Sequence, residues 1–202
     1  MKRAKIVSES AGWERLSSET HFKNDHLEVS TDKIRSPAVR EARSWTVVRR
    51  KRAVVVAPMT AAGELVLIRQ ERIPIRAAIW EFPAGQIDEE TEEQSEVTAV
   101  ALRELQEETG YELAEGGELT ALGDYFTSPG FTDERGYFFL ARPVQPGSKG
   151  HSHHESESIL DCRAFSAREL SRMIDDNEIR DANTLGFFAR LVTRGILPVE
   201  RA

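Results

Sequence analysis

The chain has 202 residues, a formal net charge of −7 and a single cysteine, Cys162. That length suits one ordinary domain with a short appendage, and the acidic balance argues against a general nucleic-acid binder. No apolar run approaches the roughly 18 residues that a membrane span needs, and a lone cysteine excludes an internal disulfide and fits a reducing cytosol, so we expect a cytoplasmic protein.

The N-terminus, Met1-Lys2-Arg3-Ala4-Lys5, is basic, but no apolar segment follows it and it does not read as a secretory signal. Residues 13–48 alternate short apolar groups with turn signals such as Lys23-Asn24-Asp25, which predicts a small β-rich segment over 1–48 ahead of a main domain at 49–202. The run Arg49-Arg50-Lys51-Arg52 stands out from the acidic background, as a solvated strand end or as a holder of phosphates. Strands are predicted at Ala53–Pro58 and Leu65–Ile68 around an Ala61-Ala62-Gly63-Glu64 turn, and again at Ile79–Phe82. A helix is expected over 96–109, with Ser95 as its N-cap and Gly110 at the position just past its end. Strands near 119–126 and 136–142 follow, with Ala114–Glu118 as a turn before the first. Pro143 to Ser158 reads as a loop, and a strand near 159–164 and helices near 167–175 and 181–193 complete the chain. Mixed strands with helices on both sides predict an α/β sandwich.

The helix at 96–109 carries the chemistry. In Arg103-Glu-Leu-Gln-Glu-Glu-Thr-Gly-Tyr111, Glu104, Glu107 and Glu108 stand at i, i+3 and i+4, inside one arc of the helix. Like charges so close destabilise an isolated helix, yet clustered hard oxygens are what a magnesium ion accepts. A solvated acidic face is the bland alternative. The preceding Trp80-Glu81-Phe82-Pro83-Ala84-Gly85, an apolar strand ending in a Pro/Gly turn, favours a metal site built from strand, loop and helix.

Here the chain resembles the Nudix hydrolases, whose box runs Gly-x5-Glu-x7-Arg-Glu-U-x-Glu-Glu-x-Gly-U, with U a bulky apolar residue. The second half matches from Arg103 to Gly110, with Tyr111 at the last bulky position. The first half departs: seventeen residues separate Gly85 from Arg103 where the pattern has thirteen, and neither Thr91 nor Ser95, the two possible alignments of the first box Glu, is acidic. Glu89, Glu90, Glu92 and Glu93 are candidates for that missing carboxylate. The segment Phe126-Thr-Ser-Pro-Gly-Phe-Thr-Asp-Glu134 is similar to the Ser-Pro-Gly-x-(Thr/Ser)-x-Glu stretch of the ADP-ribose pyrophosphatase subgroup. The runs Trp13–Thr20 and Leu65–Arg72 resemble that subgroup more weakly.

The resemblance implies a Nudix-type α/β/α sandwich with a mixed sheet. It further implies hydrolysis of the diphosphate of ADP-ribose to AMP and ribose 5-phosphate by metal-activated water, with Mg²⁺ as cofactor and Mn²⁺ as substitute. Other nucleotide sugars (ADP-glucose, GDP-mannose) and a catalytically silent Nudix-fold sensor are the alternatives. It assigns metal ligation to Glu104, Glu107 and Glu108, to the carbonyl of Ala84 and to Glu157, and the general base to Glu155 on the 143–158 loop. Arg103 would orient the carboxylates. Trp45 would stack on the base, unless it is a core residue. Arg50 and Arg72 would hold phosphates, unless they are solvated strand ends, and Glu134 would accept from ribose hydroxyls. Relatives exchange N-terminal segments between subunits, so a homodimer acting on a small nucleoside diphosphate sugar is expected, with no nucleic acid and no membrane. His151, His153 and His154 lack cysteine partners and read as solvated loop histidines rather than as a zinc site.

Overall fold

In the computed structural model of the protein, residues 12–87, 94–148 and 158–198 are described. The chain opens with three antiparallel strands, β1 (Glu14–Lys23), β2 (Leu27–Ser36) and β3 (Val39–Arg50), in the order β1-β2-β3. Asn24 closes the first turn by accepting from the backbone N–H groups of His26 and Leu27, each at 2.9 Å. β1 is exposed along its whole length, and the buried positions on β2 are Ser30 and Asp32. This small sheet has a polar interior.

After the two-residue link Lys51–Arg52 the main sheet begins with β4 (Ala53–Thr60) and β5 (Leu65–Arg72). β4 is buried from Val54 to Met59, the unbroken burial of a strand covered on both faces. A single-turn 3₁₀ helix, Ile73–Ile75, leads into β6 (Ala77–Glu81) and the short β7 (Ala84–Gln86). Helix α1 (Gln94–Thr109), β8 (Tyr111–Phe126), β9 (Arg135–Pro146), β10 (Ile159–Phe165), α2 (Ala167–Asp175) and α3 (Ala182–Thr193) follow. The seven-stranded sheet runs β10-β5-β4-β9-β8, with β6 on β5 and β7 on β4. β4 and β9 pair in parallel and the other neighbours are antiparallel, which makes the sheet mixed.

The pleat sorts the core into two layers. Val55, Ala57, Leu67, Phe138 and Leu140 face Leu170 and Met173 of α2 and Phe187 and Leu191 of α3. Val54, Val56, Phe139 and Ala141 face Val97, Ala101 and Leu105 of α1. The result is the expected α/β/α sandwich with an added N-terminal sheet.

Three local expectations change. Ser95 lies inside α1, which already includes Gln94, so it is not the N-cap. β8 begins at Tyr111, because what reads as a turn at Ala114–Glu118 is a bulge within the strand. From Leu113 to Glu118 β8 advances five residues while β9 passes only from Val144 to Arg142. β9 in turn runs on to Pro146, so the loop is shorter than its composition suggests. Pro143 is tolerated because it lies opposite the bulge, where no ladder donor is required. The predicted stop of α1 holds: Gly110 takes φ 71° and its N–H donates to Gln106 O at 2.8 Å.

Candidate functional site

The start of β7 meets the C-terminal half of α1 at close quarters. The backbone N–H of Ala84 donates to Glu108 Oε2 at 2.7 Å, and Glu108 is 1% exposed. Beside it, Gly85 has no side chain because Glu104 fills that space: a Cβ there would stand 2.0 Å from both Cδ and Oε1 of Glu104. Arg103 donates to Glu104 Oε1 at 2.6 Å and to Glu107 Oε2 at 2.8 Å, which offsets part of the repulsion among the three carboxylates. Helical spacing thus turns Glu104 and Glu108 onto Ala84 and Gly85 at the start of β7, while Glu107 remains with Arg103.

No group of three or more His, Cys, Asp and Glu side chains closes to metal-holding distance among the described residues. Two buried carboxylates beside a strand with no side chain at Gly85 nevertheless offer hard oxygen donors. That chemistry fits a divalent ion such as Mg²⁺ or Mn²⁺.

A second group forms where β3 crosses the Ser-Pro-Gly segment. Trp45 donates its indole N–H to Gly130 O at 2.9 Å, and Val48 N–H donates to Phe131 O at 2.8 Å. Arg50 N–H donates to Asp133 Oδ1 at 3.1 Å, and its Nε lies 3.4 Å from Glu134 Oε1. Glu134 also accepts from Thr127 Oγ1 at 2.8 Å. Trp45 is 57% exposed, which removes the core-residue alternative. Arg50 ends β3, stays partly exposed and pairs with Glu134, which is held between Arg50 and Thr127.

Sequence reasoning noted Arg49 only within the basic run and missed its role, a bridge from the N-terminal sheet to this segment. It pairs with Asp32 on β2 and reaches Asp133 Oδ2 at 3.2 Å. Burial works to raise the Asp32 carboxyl, but hydrogen bonds from Ser18 and Arg49 prevail and hold it below the ordinary range.

Arg72 closes the third group, with a partner that was not anticipated. Glu81 ends β6, is 3% exposed, and receives Arg72 Nε at 2.9 Å from Oε1 and 3.2 Å from Oε2. The N–H is directed at Oε2, and Oε1 is buried without a hydrogen-bond donor among the described residues. Burial pushes this carboxyl up to about 7 against the opposing pull of Arg72, and the charge of Asp181 adds to the rise. The signal was present in the sequence: Glu81 is the one charge in the apolar strand Ile79–Phe82, and a charge placed there needs a partner. Next to it, Phe82 N–H donates to Thr184 Oγ1 at 3.0 Å, which ties the strand end to the first turn of α3.

Glu155 and Glu157, with His151, His153 and His154 and the alternative carboxylates Glu89, Glu90, Glu92 and Glu93, lie outside the described residues. Cys162 is half-buried, its Sγ directed at Thr109 O, and burial raises its thiol to about 11, which disfavours the nucleophilic thiolate.

The NUDIX domain family matches residues 49–185. The chain belongs to the Nudix family. Among its relatives, an ADP-ribose pyrophosphatase of Bacillus subtilis is 33% identical over 138 residues, covering 68% of this chain and 70% of that protein. A methanol dehydrogenase activator of Bacillus methanolicus is 30% identical over 170 residues, 84% of this chain and 87% of the relative. A GDP-mannose pyrophosphatase of Pectobacterium atrosepticum is 31% identical over 144 residues, 67% of this chain and 69% of the relative. The fold is that of a solved structure described as an ADP compounds hydrolase, with a TM-score of 0.71 over 96% of this chain and 100% of the other, at 20% identity. This Nudix hydrolase therefore carries its acidic helix and the strand that meets it on a Nudix fold. No helix among the described residues is long and apolar enough to cross a membrane.

Proposed function

We propose that the protein hydrolyses the diphosphate bond of ADP-ribose, giving AMP and ribose 5-phosphate, with Mg²⁺ as cofactor and Mn²⁺ able to replace it. The observation that carries the reading is the seating of Glu104 and Glu108 on Ala84 and Gly85, with a match to an ADP-ribose pyrophosphatase over two thirds of the chain in support. Glu104, Glu107, Glu108, Glu157 and the Ala84 carbonyl are the residues that would hold the metal. When bound, a divalent ion neutralises diphosphate charge and lowers the pKa of water.

The remaining work falls to side chains. Glu155 takes the proton from the attacking water. Arg103 orients Glu104 and Glu107. Arg50 and Arg72 present guanidinium groups to phosphate oxygens, Trp45 offers a π-face to the base, and Glu134 accepts from ribose hydroxyls. Since water attacks phosphorus directly, no protein nucleophile is used.

We assign residues 1–48 to dimerisation and to part of the substrate site, and 49–202 to the hydrolase domain. Trp13, Leu16 and Phe22 leave apolar surface exposed on a sheet whose buried positions are polar, which supports a homodimer. The single cysteine supports a cytoplasmic location.

The match to a GDP-mannose pyrophosphatase favours a second reading, a pyrophosphatase for another nucleotide sugar. The acidic helix binds metal and diphosphate, so it does not distinguish the distal sugar. Turnover of ADP-ribose, ADP-glucose and GDP-mannose, with products identified by mass, decides between the two. Preferential release of AMP from ADP-ribose supports the first, preferential GDP-mannose cleavage the second, and no turnover of any compound overturns both.

A further inference from the structure

Arginine binds phosphate well when its guanidinium plane is fixed before the ligand arrives, because less side-chain entropy is then lost on binding. Arg72 meets that condition in an unusual way. Both of its recorded contacts use Nε, to Oε1 and Oε2 of Glu81, and among the described residues nothing pairs with its two terminal nitrogens. Its side chain is 41% exposed against 4% for Glu81, so a buried carboxylate holds the inner edge of a guanidinium whose outer part reaches solvent.

Glu81 is itself fixed. It ends β6 opposite Ile68 of β5, and the next residue, Phe82, is hydrogen-bonded to Thr184 and packed edge-on against Phe187 at 5.3 Å. Three residues further on, Ala84 is bonded to Glu108. One stretch of chain, 81–85, thus sets both the arginine and the acidic cluster.

We propose that Glu81 is a positioning residue: it holds Arg72 by Nε so that the two terminal nitrogens receive a phosphoryl group of the diphosphate substrate. Glu81 acts only through Arg72 and touches no substrate atom. The inference rests on the pyrophosphatase reading for its ligand class, but its geometry needs only a ligand bearing a diphosphate.

The test uses ADP, which carries the diphosphate and no distal sugar. ADP binding is measured by calorimetry for the full chain and for Glu81→Gln, Arg72→Ala and the double variant, with thermal melting as a check on folding. Glutamine keeps the shape but not the charge, and no charge is left buried without a partner, so the fold is expected to survive. Glu81→Gln should weaken ADP binding about tenfold, the scale of one mispositioned charge-assisted bond. In the Arg72→Ala background the same change should have no further effect. With a hydrolysed substrate, Glu81→Gln should raise KM while kcat stays within a few-fold. An unchanged ADP affinity in Glu81→Gln, or additive losses in the double variant, would overturn the proposal. If ADP-ribose is not hydrolysed while the two substitutions remain coupled in ADP binding, the substrate assignment fails and the positioning role stands.

Discussion

Gly85→Ala places a methyl group where Glu104 now lies, and its cost can be worked from the contact. The new Cβ would sit 2.0 Å from Cδ and Oε1 of Glu104, whereas ordinary contact begins near 3.4 Å, so the carboxylate must retreat by about 1.4 Å. Cγ of Glu104 would also stand at 2.6 Å, so the whole side chain must change rotamer in a buried setting, at a loss of stability of about 1–3 kcal/mol. Catalysis is less tolerant: a misplacement on the order of 1 Å can cost roughly 10²-fold in rate. We therefore expect Gly85→Ala to fold, to melt within a few degrees of the parent, and to lose about 10²-fold in kcat with a raised Mg²⁺ requirement. The assay is initial rate against Mg²⁺ concentration, with circular dichroism on the same preparations. Parental kcat and parental metal dependence would show that Glu104 does not act from this position.

Activity should vanish in EDTA, and Glu108→Gln should remain folded while losing several orders of magnitude in turnover; an active EDTA-treated enzyme would refute the metal mechanism. Glu155→Gln should lower kcat by roughly 10²–10⁴-fold with little change in substrate affinity, and normal turnover would move the base to another carboxylate. The protein should be a dimer by light scattering at micromolar concentration, and a fully active monomer would contradict the role given to residues 1–48. Glu81 has a folded pKa of about 7 against 4.5 for a free carboxyl, so the fold favours its protonated form. Its contribution is greatest at low pH and falls by about 3 kcal/mol as pH rises from 4.5 past 7. Thermal melting from pH 4.5 to 8.5 should show the parent losing ground to Glu81→Gln over that interval, and parallel curves would exclude a raised pKa at Glu81.

Periodicity made much of the sheet and its helices legible. The apolar run Ala53–Pro58, set before the Ala61-Ala62-Gly63-Glu64 turn, read as a strand and lies within β4, and α2 was expected over the residues it occupies, where Ser166 and Glu169 form a reciprocal cap. The bulge in β8 was not legible, because Ala-Glu-Gly-Gly at 114–117 is equally good turn chemistry. Its true setting depends on pairing with β9, a contact between distant parts of the chain. At the site, Glu104 and Glu108 could be placed because helical geometry is local. The lone charge of Glu81 in an apolar strand signals the need for a partner, but that the partner is Arg72, like the bridge from Asp32 through Arg49 to Asp133, follows only when separate strands come together.

The bond from Ala84 N–H to Glu108 and the contact of Gly85 with Glu104 join two rigid elements directly, without using the residues that run between them. Much of the sequence from Gly85 to Arg103 is α1 itself, whose Val97 and Ala101 pack into the core, so the meeting of strand and helix is held by packing and by these two contacts rather than by chain connectivity alone.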